Sequence, residues 1–195
     1  MAASDPTLLP EPLRALVQAE LQPGESLRWL GQPVPARFAR AALPAVLFAI
    51  PWTAFALFWI WGAAQTTSHA PSLAPRLFPL FGIPFVGVGL GMFASPYWAL
   101  RRARRTVYLV TDRRAVVLGS RWLGGVTAHS FEPEKLGDLR REQREDGSGD
   151  LLFGQDVVVG NRGSRRTVDY GFIGVGNVRE AEEFVRALAR HAPRA

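Results

Sequence analysis

The sequence predicts an α+β membrane protein that combines a two-helix transmembrane hairpin with an antiparallel β domain ending in an α-helix. Three observations lead to this prediction. Two stretches of 24 residues, 41–64 and 77–100, contain no charged residue. A series of short apolar strands separated by turns begins at Thr106. One amphipathic helix then ends the chain.

Each uncharged stretch is long enough to cross a bilayer as a helix. At about 1.5 Å per residue it spans roughly 36 Å, whereas a hydrocarbon core is about 30 Å thick. A buried helix of a soluble protein would normally keep a polar face over this length, and neither stretch has one. The first stretch starts behind a polar region of about forty residues and is too long for the apolar region of a signal peptide. We therefore expect two spans, at about 41–64 and 77–100.

Arginines predict the orientation of this hairpin. They lie before the first span and after the second, whereas the connecting loop 65–75 carries only His69, and Arg76 borders the second span. Because basic residues are retained on the cytoplasmic side, we expect a multi-pass protein of the cell (inner) membrane with both termini in the cytoplasm. The flanking arginines are Arg28, Arg37 and Arg40 before the spans, and Arg101, Arg102, Arg104 and Arg105 after them.

Small side chains recur at every fourth position in both spans, which places them on one face of each helix. Such faces let two helix backbones approach closely, either within the hairpin or between two copies of the chain. Neither span contains an acidic or basic residue of the kind that ion pathways use, which disfavours a transporter or pump. The candidate helix-packing residues are Gly87, Gly91 and Ser95 in the second span and Ala45, Ala49 and Thr53 in the first.

The segment before the spans, 1–36, predicts one helix and one short strand. Apolar residues in 9–21 fall at helical spacing, and Pro12 suits a first turn. The stretch 26–31 alternates briefly and ends at a glycine, which is typical of a short strand. We advance the hypothesis that this strand pairs with the β domain, although the membrane hairpin separates the two in the sequence.

The segment 101–195 predicts a meander of strands followed by a helix. Asp112 lies in the turn of the first hairpin and can cap that turn through its side chain. Asn177 with Glu180 three residues later is a capping-box pattern that begins the final helix, which would cover the open end of an incomplete barrel. The polar stretch 136–145 is either an edge strand or a loop. Strands are expected at 106–111, 114–119, 124–131, 151–160 and 165–173.

Two motifs, in this order, resemble the membrane-anchored bacterial proteins with a pleckstrin-homology-like (PH-like) domain. The first is "LQPGESLRWLGQP" (21–33) before the spans, and the second is "YLVTDRRAVVL" (108–118) after them. With the hairpin between them, the resemblance covers most of the chain. It implies a PH-like antiparallel β-barrel on the cytoplasmic face, capped by the C-terminal helix, with no known catalytic residues. The matching residues are Leu21, Pro23, Gly24, Glu25, Trp29, Gly31, Pro33, Tyr108, Thr111, Asp112, Arg113 and Arg114.

No constellation of residues in the sequence predicts catalysis. The chain has no cysteine, so no disulfide or thiolate metal site can form, and its three histidines are not at metal-ligand spacing. The glycines in 171–177 lack the third glycine of a dinucleotide-binding loop, and the surrounding pattern is not βαβ. The sequence therefore predicts a protein that is not an enzyme, with no catalytic residue, no cofactor and no metal site.

The arginines that follow the second span have two interpretations. They set the membrane topology and remain solvated, or they contact anionic lipid headgroups, each contributing on the order of 1 kcal/mol. Nucleic acid is not expected as a partner, because the membrane surface already competes for these basic groups. The candidate lipid contacts are Arg101, Arg102, Arg104, Arg105, Arg113 and Arg114.

Together these features predict three regions: a cytoplasmic helix and strand (1–36), the transmembrane hairpin (37–100) and a cytoplasmic PH-like domain (101–195). The predicted function is a non-enzymatic binding or scaffolding module held at the inner face of the cell membrane. Its expected partners are the bilayer, anionic lipid, and either another protein or a second copy of the chain. The alternative is an accessory subunit of a membrane transport or secretion complex that docks other spans through its small-residue faces.

Overall fold

The computed structural model of the chain describes residues 6–67, 72–120, 125–159 and 165–190. His69, in the loop between the predicted spans, lies outside the described residues. The chain divides into two compact units, one made of residues 1–35 with 102–195 and the other of residues 36–101. The segment before the predicted spans therefore folds together with the segment that follows them.

The strands of the first unit form two antiparallel sheets, one in the order β1-β2-β3-β4 and the other in the order β5-β6-β7. The strands are β1 (Leu27–Gly31), β2 (Thr106–Thr111), β3 (Ala115–Ser120), β4 (Val126–Phe131), β5 (Arg140–Gln143), β6 (Gly149–Val159) and β7 (Arg165–Val175). The α-helices among the described residues of both units are α1 (Glu11–Glu20), α2 (Pro35–Ala41), α3 (Leu43–Thr67), α4 (Leu73–Arg76), α5 (Ile83–Phe93), α6 (Ser95–Ala103) and α7 (Val178–Arg190).

Strand β1 is an integral part of the first sheet. It pairs antiparallel with β2, and Gly31 lies opposite Tyr108. Trp29 is only 2% exposed, and its ring stacks on Phe172 of the second sheet with 5.6 Å between the ring centroids. The hypothesis that the strand before the spans pairs with the β domain is confirmed.

Strand β2 is buried on both faces. Tyr108 and Val110 face the core between the two sheets, whereas Val107 and Leu109 face a second apolar cluster that α1 covers. A strand that is covered on both faces is a continuous apolar run rather than an alternating one, which explains the sequence of β2. The second cluster also contains Leu9, Leu13, Val17, Leu30, Val116 and Leu118.

The predicted β-barrel is not closed, which corrects that part of the fold prediction. Strands β4 and β5 are edge strands of different sheets, and between them the chain forms a 3-10 turn, Pro133–Leu136. Leu136 of this turn is fully buried in the core, so a buried turn, rather than a ladder of hydrogen bonds, connects the two strands. On the opposite side the sheets are joined by a bridge between Pro33 and Val175. Within the ambiguous stretch 136–145, Arg140–Gln143 forms an edge strand, β5.

The C-terminal helix α7 closes the core and begins as its sequence predicts. The backbone N–H of Glu180 donates to Asn177 Oδ1 at 3.3 Å, and the Asn177 amide donates to Glu180 Oε2 at 3.1 Å. Glu182 is buried and accepts hydrogen bonds from Arg141 of β5 and Arg186 of α7 itself. The buried apolar residues of the helix are Val178, Ala181, Val185 and Leu188.

The second unit contains the apolar helices. By length and composition, the helical stretch Pro35–Thr67 could cross a membrane. The stretch Phe78–Phe93 and helix α6 could form a second span only if the pair, which is bent by 42°, counts as one. Pro96 lies in the first turn of α6, where it removes a backbone donor and accounts for the break. Among the described residues there are thus one or two helices of this kind.

The structure places Gly89, rather than Gly87 and Gly91, where the two apolar helices meet. A Cβ built on Gly89 would lie 2.1 Å from Thr53 Oγ1, whereas Gly87 and Gly91 have nothing within 4 Å. Because successive helical residues are about 100° apart, a shift of two positions moves a side chain to the opposite face. Gly87 and Gly91 thus do not face the first helix as Gly89 does, and a role for them in packing, within the hairpin or between two copies, stays a prediction.

The remaining candidates divide between the two helices. The Ser95 hydroxyl donates to the Met92 carbonyl at 2.7 Å, which is a local bond between residues three positions apart. On the first helix, Ala49 is fully buried and Thr53 contacts Gly89, as the small-residue face predicts, while Ala45 is half-buried. Trp52 adds a hydrogen bond from its indole N–H to the Phe85 carbonyl at 2.9 Å.

We expect Gly89→Ala to destabilise the helical hairpin by about 1–3 kcal/mol, because the added methyl group overlaps Thr53. Gly87→Ala is the matched control, since it gains the same methyl group and the same helix propensity in open space. Thermal unfolding in detergent micelles, followed by circular dichroism, measures both. Equal melting temperatures for the two variants would contradict close packing of Gly89 against Thr53.

A second prediction concerns the first unit. Because Gly31 and Tyr108 pair directly, the ends of the inserted residues 36–101 leave the sheet at neighbouring positions, and a short Gly-Ser linker can replace them. We expect the linked chain to fold and to remain in solution without detergent. The comparison is the fragment 102–195, which lacks α1 and β1 and leaves uncovered the apolar face of β2 that α1 covers. If that fragment is equally soluble and equally resistant to heat, α1 and β1 are not integral to the domain.

Candidate functional site

The two motifs that carry the family resemblance lie against each other. The turn before β1 and the turn between β2 and β3 are joined by two backbone contacts of Ser26. Its N–H donates to Asp112 Oδ1 at 2.8 Å, and its carbonyl accepts from the Asp112 N–H at 3.1 Å. The Thr111 hydroxyl also donates to Glu25 Oε1 at 2.8 Å. Residues far apart in the sequence therefore form one polar cluster, which we call the turn cluster.

Arg114 is the centre of the turn cluster. Its Nε donates to Glu25 Oε1 at 2.9 Å and its Nη2 to Glu25 Oε2 at 3.1 Å, which makes a bidentate pair. Nη1 donates to Glu20 Oε1 at 3.1 Å and to Ser130 Oγ at 2.9 Å, and Nη2 donates to the Glu20 carbonyl at 2.8 Å. These bonds match the five N–H donors of a guanidinium group, so none remains for a lipid headgroup.

Burial and hydrogen bonding act in opposite directions on Glu25. Its side chain has no exposed surface, which by itself would raise the pKa of the carboxyl. Hydrogen bonds from Arg114, from the Gln22 backbone and from the Thr111 hydroxyl outweigh this effect and lower the pKa of Glu25 from 4.5 to about 2. The hydrogen bond to Glu25 in turn raises the pKa of Arg114. The pair is thus ionised throughout the physiological range.

The residue that caps the β2–β3 turn is Thr111 rather than Asp112. Thr111 Oγ1 accepts hydrogen bonds from the N–H groups of Arg113, at 3.2 Å, and Arg114, at 3.0 Å. Asp112 instead binds Ser26, and that backbone hydrogen bond lowers the pKa of its exposed carboxyl. The prediction of an Asp112 cap was wrong because it considered only local partners, whereas Asp112 finds its partner on the segment before β1.

The candidate lipid-binding arginines differ in exposure and in hydrogen-bond partners. Arg102 and Arg104 are exposed near the start of β2, and Arg105 is half-buried there. Arg101 donates to the Tyr97 hydroxyl at 3.3 Å, and Arg113 is exposed and donates to the Gly24 carbonyl at 3.4 Å. The geometry commits Arg114 to the turn cluster. For the others, contact with anionic lipid stays a prediction.

In the core of the first unit the Tyr108 hydroxyl has backbone partners, whereas the buried indole N–H of Trp29 has none among the described residues. The Tyr108 hydroxyl donates to the Ile173 carbonyl at 2.8 Å and accepts from the Ile173 N–H at 3.2 Å. Burial raises the pKa of Tyr108 to about 12. In the described part of the chain, no group of three or more His, Asp or Glu side chains is arranged to hold a metal ion.

Sequence reasoning missed the pairing of Glu25 with Arg114. The two residues are 89 positions apart, and no periodic pattern connects them. One signal was available in the sequence. The turn before β1 carries an acidic residue, the turn after β2 carries basic residues, and each turn adjoins an apolar strand that could pair with the other. Because the partners of the β2–β3 turn lay beyond the inserted apolar segment in the sequence, local reasoning assigned that turn a cap of its own, Asp112.

Comparisons with known proteins add little to this geometry. No family model matches the chain, and no match was found among curated proteins. Among solved structures, the chain is similar to a pleckstrin homology domain from Shewanella amazonensis SB2B, at 14% identity over 44% of this chain and 76% of that one, with a TM-score of 0.28. So low a TM-score carries no argument about fold or function. The PH-like assignment therefore remains a prediction from the motifs.

We expect Glu25→Gln to destabilise the first unit by about 3 kcal/mol at pH 7, because Arg114 would lose its buried counter-ion. The lowered pKa means that Glu25 stabilises the fold fully above about pH 4.5 and that this contribution is lost as the pH falls towards 2. The variant should therefore lose less additional stability than the unmodified chain over that interval. Thermal unfolding between pH 7 and pH 2 measures the difference.

The control for this prediction is Glu145→Gln, which makes the same chemical change at an exposed position. We expect its stability to stay within about 0.5 kcal/mol of the unmodified chain at every pH. Equal losses for the two variants at pH 7 would show that the Glu25–Arg114 pair does not stabilise the fold.

Proposed function

We propose that the protein is a non-enzymatic binding or scaffolding module, displayed at the inner face of the cell membrane by a transmembrane helical hairpin. The observation that carries this proposal is the pairing of β1 with β2 across the inserted apolar unit. Strands that share a ladder lie on the same side of a membrane. The inserted residues 36–101 must therefore cross the bilayer an even number of times or not at all.

An even number of crossings favours the two-span arrangement. The stretch Pro35–Thr67 is long and apolar enough to cross once, so a return crossing is needed. The bent pair Phe78–Phe93 and Ser95–Ala103 is the segment that can supply it. Most large apolar side chains of these helices are exposed, Leu47 and Phe81 among them, which suits a lipid environment better than water. Arginines at both flanks favour the cytoplasm for the first unit.

The hydrogen bonds of the charged motif residues in the first unit support a binding role. Glu25, Asp112 and Arg114 join two turns of the fold and are occupied by one another or by backbone groups. The polar residues that the two motifs share therefore stabilise a rigid platform rather than form a reactive centre. A rigid domain confined to a membrane surface acts by presentation, because confinement raises its effective concentration towards partners at that surface.

The alternative is an accessory subunit of a membrane transport or secretion complex. One observation favours it: Gly87 and Gly91 are exposed and have open space around them, so another helix could approach that face closely. Membrane partners that remain bound after deletion of residues 102–195 would favour this alternative over a binding module.

Single cysteines test the proposed display directly, because the natural chain has none. We expect an impermeant thiol reagent to label Ser72→Cys on intact cells and to label Glu145→Cys only after the membrane is opened. Ser72 lies between the two apolar helical segments, and Glu145 is exposed in the first unit. Labelling of both positions on intact cells, or recovery of the protein in the supernatant of lysed cells, would contradict the proposal.

A further inference from the structure

Strand β4 has an open edge. It pairs with β3 on one side, and the described residues offer no partner on the other. Most of its residues are exposed, and Val126 at its start is 46% exposed. An open edge leaves every second N–H and C=O group free to pair with another strand.

Charged residues lie on the edge strand β5, and a bridge covers the end of the edge strand β7, whereas β4 has neither feature. Strand β5 carries Arg140, Arg141 and Glu142, and a salt bridge joins Arg140 to Glu142 at 2.9 Å. The chain that follows β1 is joined to β7 by the bridge at Pro33. Strand β4, in contrast, contains no acidic or basic residue from Val126 to Phe131 apart from its one histidine. Edge strands that stay unpaired usually carry charges that prevent pairing.

Ring contacts on one face hold β4 in place. The Phe131 ring meets the Phe153 ring edge-on with 4.9 Å between the centroids, and His129 lies 5.8 Å from the Tyr170 ring. On the other face, Ser130 accepts a hydrogen bond from Arg114 of the turn cluster. The edge is therefore pre-organised, which reduces the entropy lost when a strand is added.

We propose that β4 pairs antiparallel with β4 of a second copy of the chain, about a twofold axis at Ala128. This inference names the partner of the binding module and so rests on the proposed function. Directly opposite residues of an antiparallel ladder face the same side of the sheet, so a twofold axis places one residue opposite its own copy. Ala128 has the smallest side chain of the strand and is therefore the residue that best fits at the axis. In this register Val126 lies opposite Ser130, and Thr127 lies opposite His129.

Charge and shape both suit a second copy in this register. No acidic side chain or arginine meets a like charge across the new ladder, because the strand has none. The side chains that meet around the axis are small or β-branched, Ala128 opposite Ala128 and Val126 opposite Ser130, so none obstructs the approach of the two strands. Confinement of both copies to one membrane raises the effective concentration of each edge for the other.

Disulfide formation in native membranes tests the register. In the full chain, Ala128→Cys brings two thiols directly opposite, about 5 Å apart between Cβ atoms, which is close to disulfide reach. Val126→Cys is the matched control on the same strand. Its two thiols would be four residues apart along the ladder, or about 14 Å, which no disulfide can bridge. Co-expression of Val126→Cys with Ser130→Cys chains should restore the link between the two different chains.

We expect oxidation to cross-link the Ala128→Cys chain several-fold more than the Val126→Cys chain, and the mixed pair to approach the former. Ala128→Lys, which places like charges at the axis, should shift the chain from dimer to monomer in light scattering. Equal or absent linking at both positions, or linking of Ala128→Cys to a different protein, overturns the self-pairing. These results are judged in the membrane fraction, so absence of the protein from that fraction overturns the proposed function instead.

Discussion

The pairing of β1 with β2 is the constraint on which the rest of the structure depends. These strands belong to parts of the chain that an apolar insertion of some seventy residues separates, yet they form one ladder with Gly31 opposite Tyr108. The entropy of closing such a loop grows only slowly with its length, so a long insertion is compatible with the pairing. The turn cluster fixes the far end of the same ladder through Glu25 and Arg114.

This pairing explains how a short first sheet becomes a stable domain. Because β1 brings the N-terminal segment with it, α1 covers the outer face of β2 while the second sheet and α7 cover the inner face. Charged residues of the two motifs then link the segment before the insertion to the segment after it. Glu25 is buried with an ionised carboxylate, and that is possible only because Arg114 supplies a bidentate partner and Thr111 a further hydrogen bond.

The apolar unit obeys a different physical rule. In the proposed lipid environment there is no hydrophobic driving force between helices, so close approach of the backbones decides how they pack. The structure achieves this at Gly89 against Thr53, where a methyl group would not fit. Gly87 and Gly91 lie on a face that has open space around it. A repeated small residue therefore identifies one face of a helix, but the rotation of the helix about its axis decides which neighbour that face contacts.

Much of the secondary structure was predictable because it follows local periodicity. The amphipathic pattern of α7, its Asn177–Glu180 cap and the apolar runs of β2 and β3 are properties of neighbouring residues. The hydrogen-bond partners of the turn residues, and the glycine at which the two apolar helices meet, were not predictable in this way. Asp112 and Arg114 have partners on the segment before β1, and Gly89 rather than Gly87 meets Thr53, so each choice depended on a distant residue.

The sequence by itself thus determined the order of elements, the two uncharged stretches and the presence of a β1 strand, because apolar periodicity and charge are readable one segment at a time. Only the tertiary structure decided that the strands form two open sheets rather than a closed barrel, and that Leu136 of the turn between β4 and β5 is buried in the core. It also decided that Arg114 holds two segments together. The reason is physical: a buried arginine must find a complete set of acceptors, and these come together only when the chain has folded.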